Sequence, residues 1–159
     1  MAAKVNPVPE GLHTVTPYLC VRGAVEAIRF YEKAFGAKEK VRFQTPDGKI
    51  RHAEIEIGDA RVLLSDEFPE MPGALIASPS SLNGSSVCLQ IYVPNVDALF
   101  ARAVAAGAEV RRPLQDMFFG DRSGAVEDPF GHIWSLSTHI EEVSPEEAVR
   151  RMADKAKAV

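Results

Sequence analysis

The chain has 159 residues, of which 46% are apolar and 25% charged; that suits one globular domain, or two very small ones sharing a core. Its net charge is −4, and no basic cluster exceeds the pair Arg111-Arg112, which argues against a nucleic-acid partner. No run approaches the ~20 apolar residues of a membrane span and residues 1–10 lack an apolar signal core, so neither membrane nor secretion is expected.

Residues 13–21 are rich in β-formers and predict a strand. Residues 25–35 place Val25, Ile28, Phe30, Tyr31 and Phe35 close to helical spacing, and Gly36 stops that helix. Residues 40–44 predict a strand, Pro46-Asp47-Gly48 a turn. Over 50–57 the pattern alternates, with Ala53, Ile55 and Ile57 on one face and His52, Glu54 and Glu56 on the other. A fourth strand is expected over 61–65. Residues 66–86, with their prolines, glycines and serines, predict a long irregular segment, and such a segment is usually a lid or a linker. Its place midway along the chain suits a linker. Strand alternation resumes over 87–93, a helix over 96–106 with Gly107 as its stop, and a strand over 109–114. A turn-rich stretch over 118–124 leads to a short strand over 124–127, a turn at 128–131 and a last strand over 133–138. Ser144-Pro145-Glu146-Glu147 predicts a helix start, with Ser144 as N-cap and Glu147 closing a capping box, and a helix running to about Lys155.

The two halves repeat. A shift of 71 residues carries Val25 to Val96, Ala27 to Ala98, Ala34 to Ala105 and Gly36 to Gly107, and also 61–65 onto 132–136. The first strands match at a shift of 72, so Val21 meets Val93. Each half is strand, helix, then three strands, and one such unit has too little area to cover its sheet alone. The expected fold is α+β. Two βαβββ modules, 12–67 and 86–139, form a curved eight-stranded mixed sheet around a cavity. An extension (1–11), a linker (68–85) and a C-terminal helix (140–159) complete the chain.

Several segments carry a resemblance: 21–36 (VRGAVEAIRFYEKAFG), 52–54 (HAE), 64–67 (LSDE), 91–97 (IYVPNVD), 120–134 (GDRSGAVEDPFGHIW) and 138–147 (THIEEVSPEE). In order and spacing the chain resembles the vicinal-oxygen-chelate (glyoxalase/bleomycin-resistance/dioxygenase) superfamily, and within it the PhnB-like branch. The resemblance implies the fold and leaves the reaction open, because this fold hosts many chemistries. Members that use a metal place His, Glu or Gln ligands on the first and fourth strands of the modules. Lining up Phe30-Tyr31 with the family's helix puts Thr16, Leu64, Cys88 and Ser135 at those four positions. The repeat gives the same pairs, Thr16 with Cys88 and Leu64 with Ser135. None is a His or a carboxylate, and a lone Cys cannot hold zinc with three protein ligands, so no cofactor is expected. A displaced ligand set drawn from His52, Glu54 and Glu56 would be the exception; the alternative for that face is a solvated one.

Alternation sorts the expected cavity lining. Thr14, Thr16 and Tyr18 point inward from the first strand, Cys88, Gln90 and Tyr92 from the fifth, and Ser135 from the last. Phe118 and Phe119 form a wall or cap the core. Such hydroxyls, an amide and aromatic rings suit a ligand pocket. Arg122 meets an anionic ligand or pairs with Asp121 or Glu127. His132 is expected to pack in its turn and His139 to be exposed. The two cysteines read as reduced thiols of a cytoplasmic protein. The leading expectation is a metal-free small-molecule-binding protein of the sequestration type, acting as a homodimer as the bleomycin-resistance proteins do. The alternative is a metal-dependent lyase, isomerase or dioxygenase, and a third reading is an enzyme that works without a metal.

Overall fold

The computed structural model describes residues 5–157. They divide into two units between Gly84 and Ser85. Each unit holds one four-stranded mixed sheet with helices, and a helix closes the chain. The α+β class and the βαβββ modules are as the sequence predicts. The eight strands hydrogen-bond as two sets of four rather than as one continuous sheet.

The first unit comprises β1 (Tyr18–Val21), α1 (Ala24–Phe35), β2 (Lys38–Gln44), β3 (Ile50–Ile57), β4 (Ala60–Asp66) and α2 (Pro79–Leu82). Its strands lie in the order β1-β4-β3-β2, with β1 parallel to β4 and the other pairs antiparallel. A parallel pair cannot be closed by a hairpin, so a crossover through α1 is required. α1 buries Ala27, Ile28, Tyr31 and Ala34 and packs on β2, β3 and β4. The strands present Leu19, Val21, Ala53, Ile55, Val62 and Leu64 to it, all 5% exposed or less. Gly36 ends the helix at φ 70, a left-handed turn that lets its amide and that of Ala37 reach the Glu32 and Tyr31 carbonyls.

The N-terminus of α1 begins at Gly23, which has no side chain to cap it. The cap comes from the end of β4. One oxygen of Asp66 accepts from the Gly23 and Ala24 amides at 2.9 Å, the other from the Ile50 amide at 2.7 Å. A buried carboxylate here satisfies three backbone donors, two of them buried, and sits at the positive end of the helix dipole.

The second unit comprises β5 (Cys88–Tyr92), α3 (Val96–Ala106), β6 (Glu109–Asp116), β7 (Asp121–Glu127), β8 (Ile133–His139) and α4 (Pro145–Lys157). The order β5-β8-β7-β6 repeats the first sheet, again with the outer pair β5–β8 parallel. Thr138 stands where Asp66 stands: its hydroxyl accepts from the Val96 amide at 2.9 Å and donates to the Val93 carbonyl at 2.7 Å. Asn95 adds a side-chain cap to the Ala98 amide at 3.0 Å. Asp128 gathers the following turn, accepting from the Phe130 and His132 amides and from the Trp134 indole.

These equivalences correct the repeat. β1 pairs Leu19 with Leu64, and β5 pairs Ile91 with Leu136. The fourth strands therefore match at a shift of 72, the shift of the first strands, and not at 71. The shift falls to 71 through the helices, 12 residues in α1 against 11 in α3, and returns to 72 in the turn before the fourth strand, where Ala53 pairs with Leu64 but Gly124 with Leu136.

Three elements depart from expectation. β1 starts at Tyr18 rather than at residue 13, because Pro17 has no N–H and the Thr16 hydroxyl bonds the His13 amide and carbonyl at 3.3 and 3.0 Å. β7 starts at Asp121, since the Met117 amide bonds the Asp121 carbonyl and closes the turn three residues early. The long segment contains α2, begun by Ser78 as N-cap before Pro79. No described helix is long and apolar enough to cross a membrane.

Candidate functional site

In each unit one sheet face is covered by a helix, and the functional side chains lie on the other. In the first unit that other face carries Tyr18 and Cys20 from β1 and Leu63 and Ser65 from β4, because they alternate with the helix-facing Leu19, Val21, Leu64 and Asp66. The segment after β4 folds back over it. Phe68, Met71, Leu75 and Ile76 join Tyr18, Cys20 and Ser65 around a cavity of about 390 Å³. This size suits a small organic ligand, and the walls are mainly apolar with few polar groups. The segment expected as a linker is thus a cavity wall, and its four apolar residues were the available signal.

Glu67 ties the segment down. Its carboxylate accepts from Arg22 Nε at 2.9 Å, the Ser81 hydroxyl at 2.7 Å, and the Ser78 hydroxyl and amide at 2.9 and 3.1 Å. Desolvation acts to raise the carboxyl's pKa, but the bonds from Ser81, Arg22 and Ser78 outweigh it and hold it at about 2. Burial, with Glu67 and Asp66 nearby, pushes the Cys20 thiol up to about 11. That thiol remains protonated and unreactive at neutral pH.

On β3 of the same face, His52 lies between Tyr18 and Phe43, with ring centroids 5.8 Å from each. The Tyr18 hydroxyl is 3.3 Å from His52 Nδ1. Glu54 accepts from Arg61 at 2.6 Å and lies 3.5 Å from His52 Nε2. His52, Glu54 and Glu56 do share a face, but Arg61 engages both carboxylates. The face expected as solvated or ligating is a cross-strand ion-pair network.

In the second unit the open face is a shallow trough. One register row runs Gln90, Ser135, Ala125, Arg112 across β5, β8, β7 and β6; the next runs Tyr92, Ser137, Ser123, Gln115. Within these two rows the two central strands contribute only small side chains, and the long ones stand at the edges. Gln90 donates to the Ser137 hydroxyl at 2.8 Å, Ser137 to Ser123 at 2.9 Å, and Arg112 Nη2 to Ser123 at 3.0 Å. At one end Tyr92 donates to Asp121 at 2.6 Å, and His139 Nδ1 lies 2.8 Å from the other Asp121 oxygen. That bond to buried Asp121 raises the His139 pKa despite partial desolvation, and Glu142 adds to the rise. The bond to Asp121 also raises that of Tyr92.

The nine residues expected to line a cavity are distributed as follows. Tyr18 lines the first unit's cavity. Cys88, Gln90, Tyr92 and Ser135 share the trough face. Phe118 and Phe119 meet edge to face, 5.2 Å between centroids, in the hairpin between β6 and β7. Two placements are corrected. Thr16 lies outside β1 with its hydroxyl closed on His13. Leu64 is 0% exposed on the helix side of the sheet; the one-residue error in the repeat reversed its face, and Leu63 is the residue equivalent to Ser135.

Two side chains pair differently from expectation. Arg122 bonds Asp97 and Asp116 rather than Asp121 or Glu127, because neighbours in a strand point to opposite faces and Arg122 faces α3. His139 is half-exposed and bound to Asp121 rather than free in solvent. Arg112 was not singled out by the sequence: alternation counted back from Gln115 selects Pro113 and Arg111, and a bulge in β6 brings Arg112 to this face instead.

The donor chemistry bears on a metal. The open-face positions of β1, β4, β5 and β8 carry Tyr18, Cys20, Arg61, Leu63, Ser65, Cys88, Gln90, Tyr92, Ile133, Ser135, Ser137 and His139, with His139 the one imidazole among them. The imidazole–carboxylate pairs, His52–Glu54 and His139–Asp121, are shared with Arg61 and Tyr92. Among the described residues no three His, Cys, Asp or Glu side chains gather about one point that could hold an ion. The residues present do not fit the family's catalytic metal.

Comparison with known proteins agrees with the fold. The family model described as the Glyoxalase/Bleomycin resistance protein/Dioxygenase superfamily matches residues 11–136. An uncharacterized protein of Mycobacterium bovis is 43% identical over 153 residues, 96% of this chain and 97% of its own. Among solved structures, TioX from Micromonospora sp. ML1 superposes with a TM-score of 0.61 at 29% identity, over 80% of this chain and 99% of its own. The PhnB protein from Bacillus cereus gives 0.61 at 19% identity, over 79% and 99%; that likeness speaks for the fold alone.

Proposed function

Because the chain belongs to the Glyoxalase/Bleomycin resistance protein/Dioxygenase superfamily, we propose that it binds a small organic molecule on the sheet faces opposite its helices, and acts by holding that molecule without a resident metal. The observation that carries this reading is the cavity of about 390 Å³ in the first unit, walled by Phe68, Met71 and Ile76 and supplied with the Tyr18 and Ser65 hydroxyls. Burial of one flat aromatic ring there removes apolar area from water at roughly 25 cal/mol per Å². The hydroxyls orient it. Among the described residues, the Cys20 thiol stays protonated, His52 lies between the Tyr18 phenol and Glu54, and His139 lies beside Asp121; no serine or thiol nucleophile is hydrogen-bonded to either imidazole.

The test is a titration of the purified protein with a panel of neutral and charged aromatic compounds, read by thermal shift and then calorimetry, on wild type and on Tyr18→Ala. A saturable ligand whose affinity drops at least tenfold in Tyr18→Ala is the expected result. Binding that ignores Tyr18, or an absence of saturable binding across the panel, would count against the reading.

A further inference from the structure

We infer that Arg112 is the anchor of an oxyanion subsite in the trough of the second unit, taking the carboxylate or phosphate-monoester group of a small ligand whose body lies across Ala125 and Ser135. This deepens the proposal of a small-molecule-binding protein and rests on it.

The argument begins with charge. Arg112 is half-buried on the open face of β6, and among the described residues no carboxylate lies within ion-pair distance of it. Its neighbour Arg111 pairs with Glu127 and Glu109, and Arg122 with Asp97 and Asp116. The contrast with Arg61 is direct. Both arginines bury an Nε without a partner, but Arg61 is neutralised by Glu54 and Glu56, whereas Arg112 has only a hydroxyl, Ser123. Buried unpaired donors are uncommon, and each calls for an explanation. A partly buried guanidinium without a counter-charge is costlier still.

The hydrogen-bond polarity around it points the same way. Gln90 donates to Ser137, and Ser137 donates to Ser123, which also accepts from Arg112. Every bond in the chain runs toward Ser123. The Ser123 hydroxyl hydrogen, the Arg112 Nε–H and the remaining guanidinium N–H groups are therefore donors in excess of acceptors. An oxyanion is all acceptor, and a planar guanidinium matches it with two parallel bonds. The acidic groups nearest on this face are already engaged: Asp121 with Tyr92 and His139, and Glu127 with Arg111.

Shape supplies the rest. Gln90, Ser135, Ala125 and Arg112 lie in one register row. With strands ~4.8 Å apart, the row spans roughly 14 Å from amide to guanidinium. Its floor is a serine and an alanine, which leaves room for a ring between the two edges. The ligand class is therefore an aromatic or similarly flat acid, with its anionic end at β6 and its far end toward Gln90 on β5.

The test uses benzoate and phenyl phosphate against neutral benzyl alcohol on the full chain. Binding is followed through the arginine Nε–Hε correlations in a ¹⁵N spectrum, which report on Arg112 itself. The expected result is a saturable shift of the Arg112 signal by the anions and not by benzyl alcohol. Affinity should fall at least tenfold in Arg112→Gln and by less in Arg112→Lys, and the better of the two probes identifies the anionic group. Equal anion binding by Arg112→Gln, or uniform shifts of all arginine signals, would overturn the subsite. Neutral probes that bind in a Tyr18-dependent way while neither anion moves Arg112 would overturn it and leave the broader proposal standing. Failure of every probe at both places would overturn both.

Discussion

Glu67 shows how single side chains here set the reach of a long segment. One carboxylate receives four bonds, from Arg22, Ser81 and Ser78, and so pins residues 78–81 to the end of β4. Its folded pKa is held at about 2, below the ~4.3 of a free Glu. A depressed carboxyl contributes stability that is fully present above the unfolded value and is lost as pH falls through the folded one. Unfolding of wild type and Glu67→Gln, compared from pH 7 to pH 2, should show the variant less stable at neutral pH. The gap should shrink below about pH 4.5 and vanish near pH 2. A gap that stays constant over that range would mean that the tether does not depend on the charge. The residue scale is also where the sequence said least. Asp121 and Arg122 are adjacent in GDRSG, yet one bonds Tyr92 and His139 while the other bonds Asp97 and Asp116. Only the face of each residue on β7 decides this, and the start of β7 depended on a turn that composition did not fix.

At the scale of elements, the modular plan was legible because periodicity and stop signals agree in both halves. Helix positions, Gly36, Gly107 and the alternation of β3 and β5 were readable, since each reflects a local pattern. The register of the fourth strands was not. A shift of 71 preserves apolar character as well as one of 72 does, and the strand pairing, together with the matching roles of Asp66 and Thr138 as caps, separates them. The slip matters because one residue reverses a side chain's face. It put Leu64 in the cavity, whereas Leu64 packs at 0% exposure beneath α1. Leu64→Ala should therefore destabilise the protein by about 2–5 kcal/mol, as buried leucine truncations do, and Leu63→Ala by less than half as much. Urea unfolding of both variants measures the difference. Equal costs would place the two leucines in like environments and contradict the register.

For the whole molecule, the family's architecture accounts for the common plan of the two units, and the side chains account for what distinguishes this chain. The open faces keep large side chains exposed, Tyr92 at 59% and Phe43 at 61%, more than isolated surface residues need. The proposal of a homodimer follows from that exposure together with the family's habit of association. Light scattering at tens of micromolar should give a mass near twice that of the chain. A monomer mass would leave these faces uncovered and contradict the assembly. The site was half legible from sequence. Tyr18, Gln90, Tyr92 and Ser135 could be placed on open faces by alternation alone. Arg112 and the cavity wall at 68–76 could not, since a bulge in β6 and a fold-back of the long segment set their positions.

The central claim is that this member of the superfamily holds its ligand without a metal. The measurement that tests it most directly is metal content by plasma mass spectrometry, after dialysis and after reloading with Ni²⁺, Zn²⁺, Mn²⁺ and Fe²⁺. The account predicts well under one equivalent of any ion retained, with ligand affinity unchanged by chelator. One equivalent retained per chain, lost together with ligand binding on chelation, would contradict it and would require the imidazoles and carboxylates now paired as His52–Glu54 and His139–Asp121 to be released as ligands.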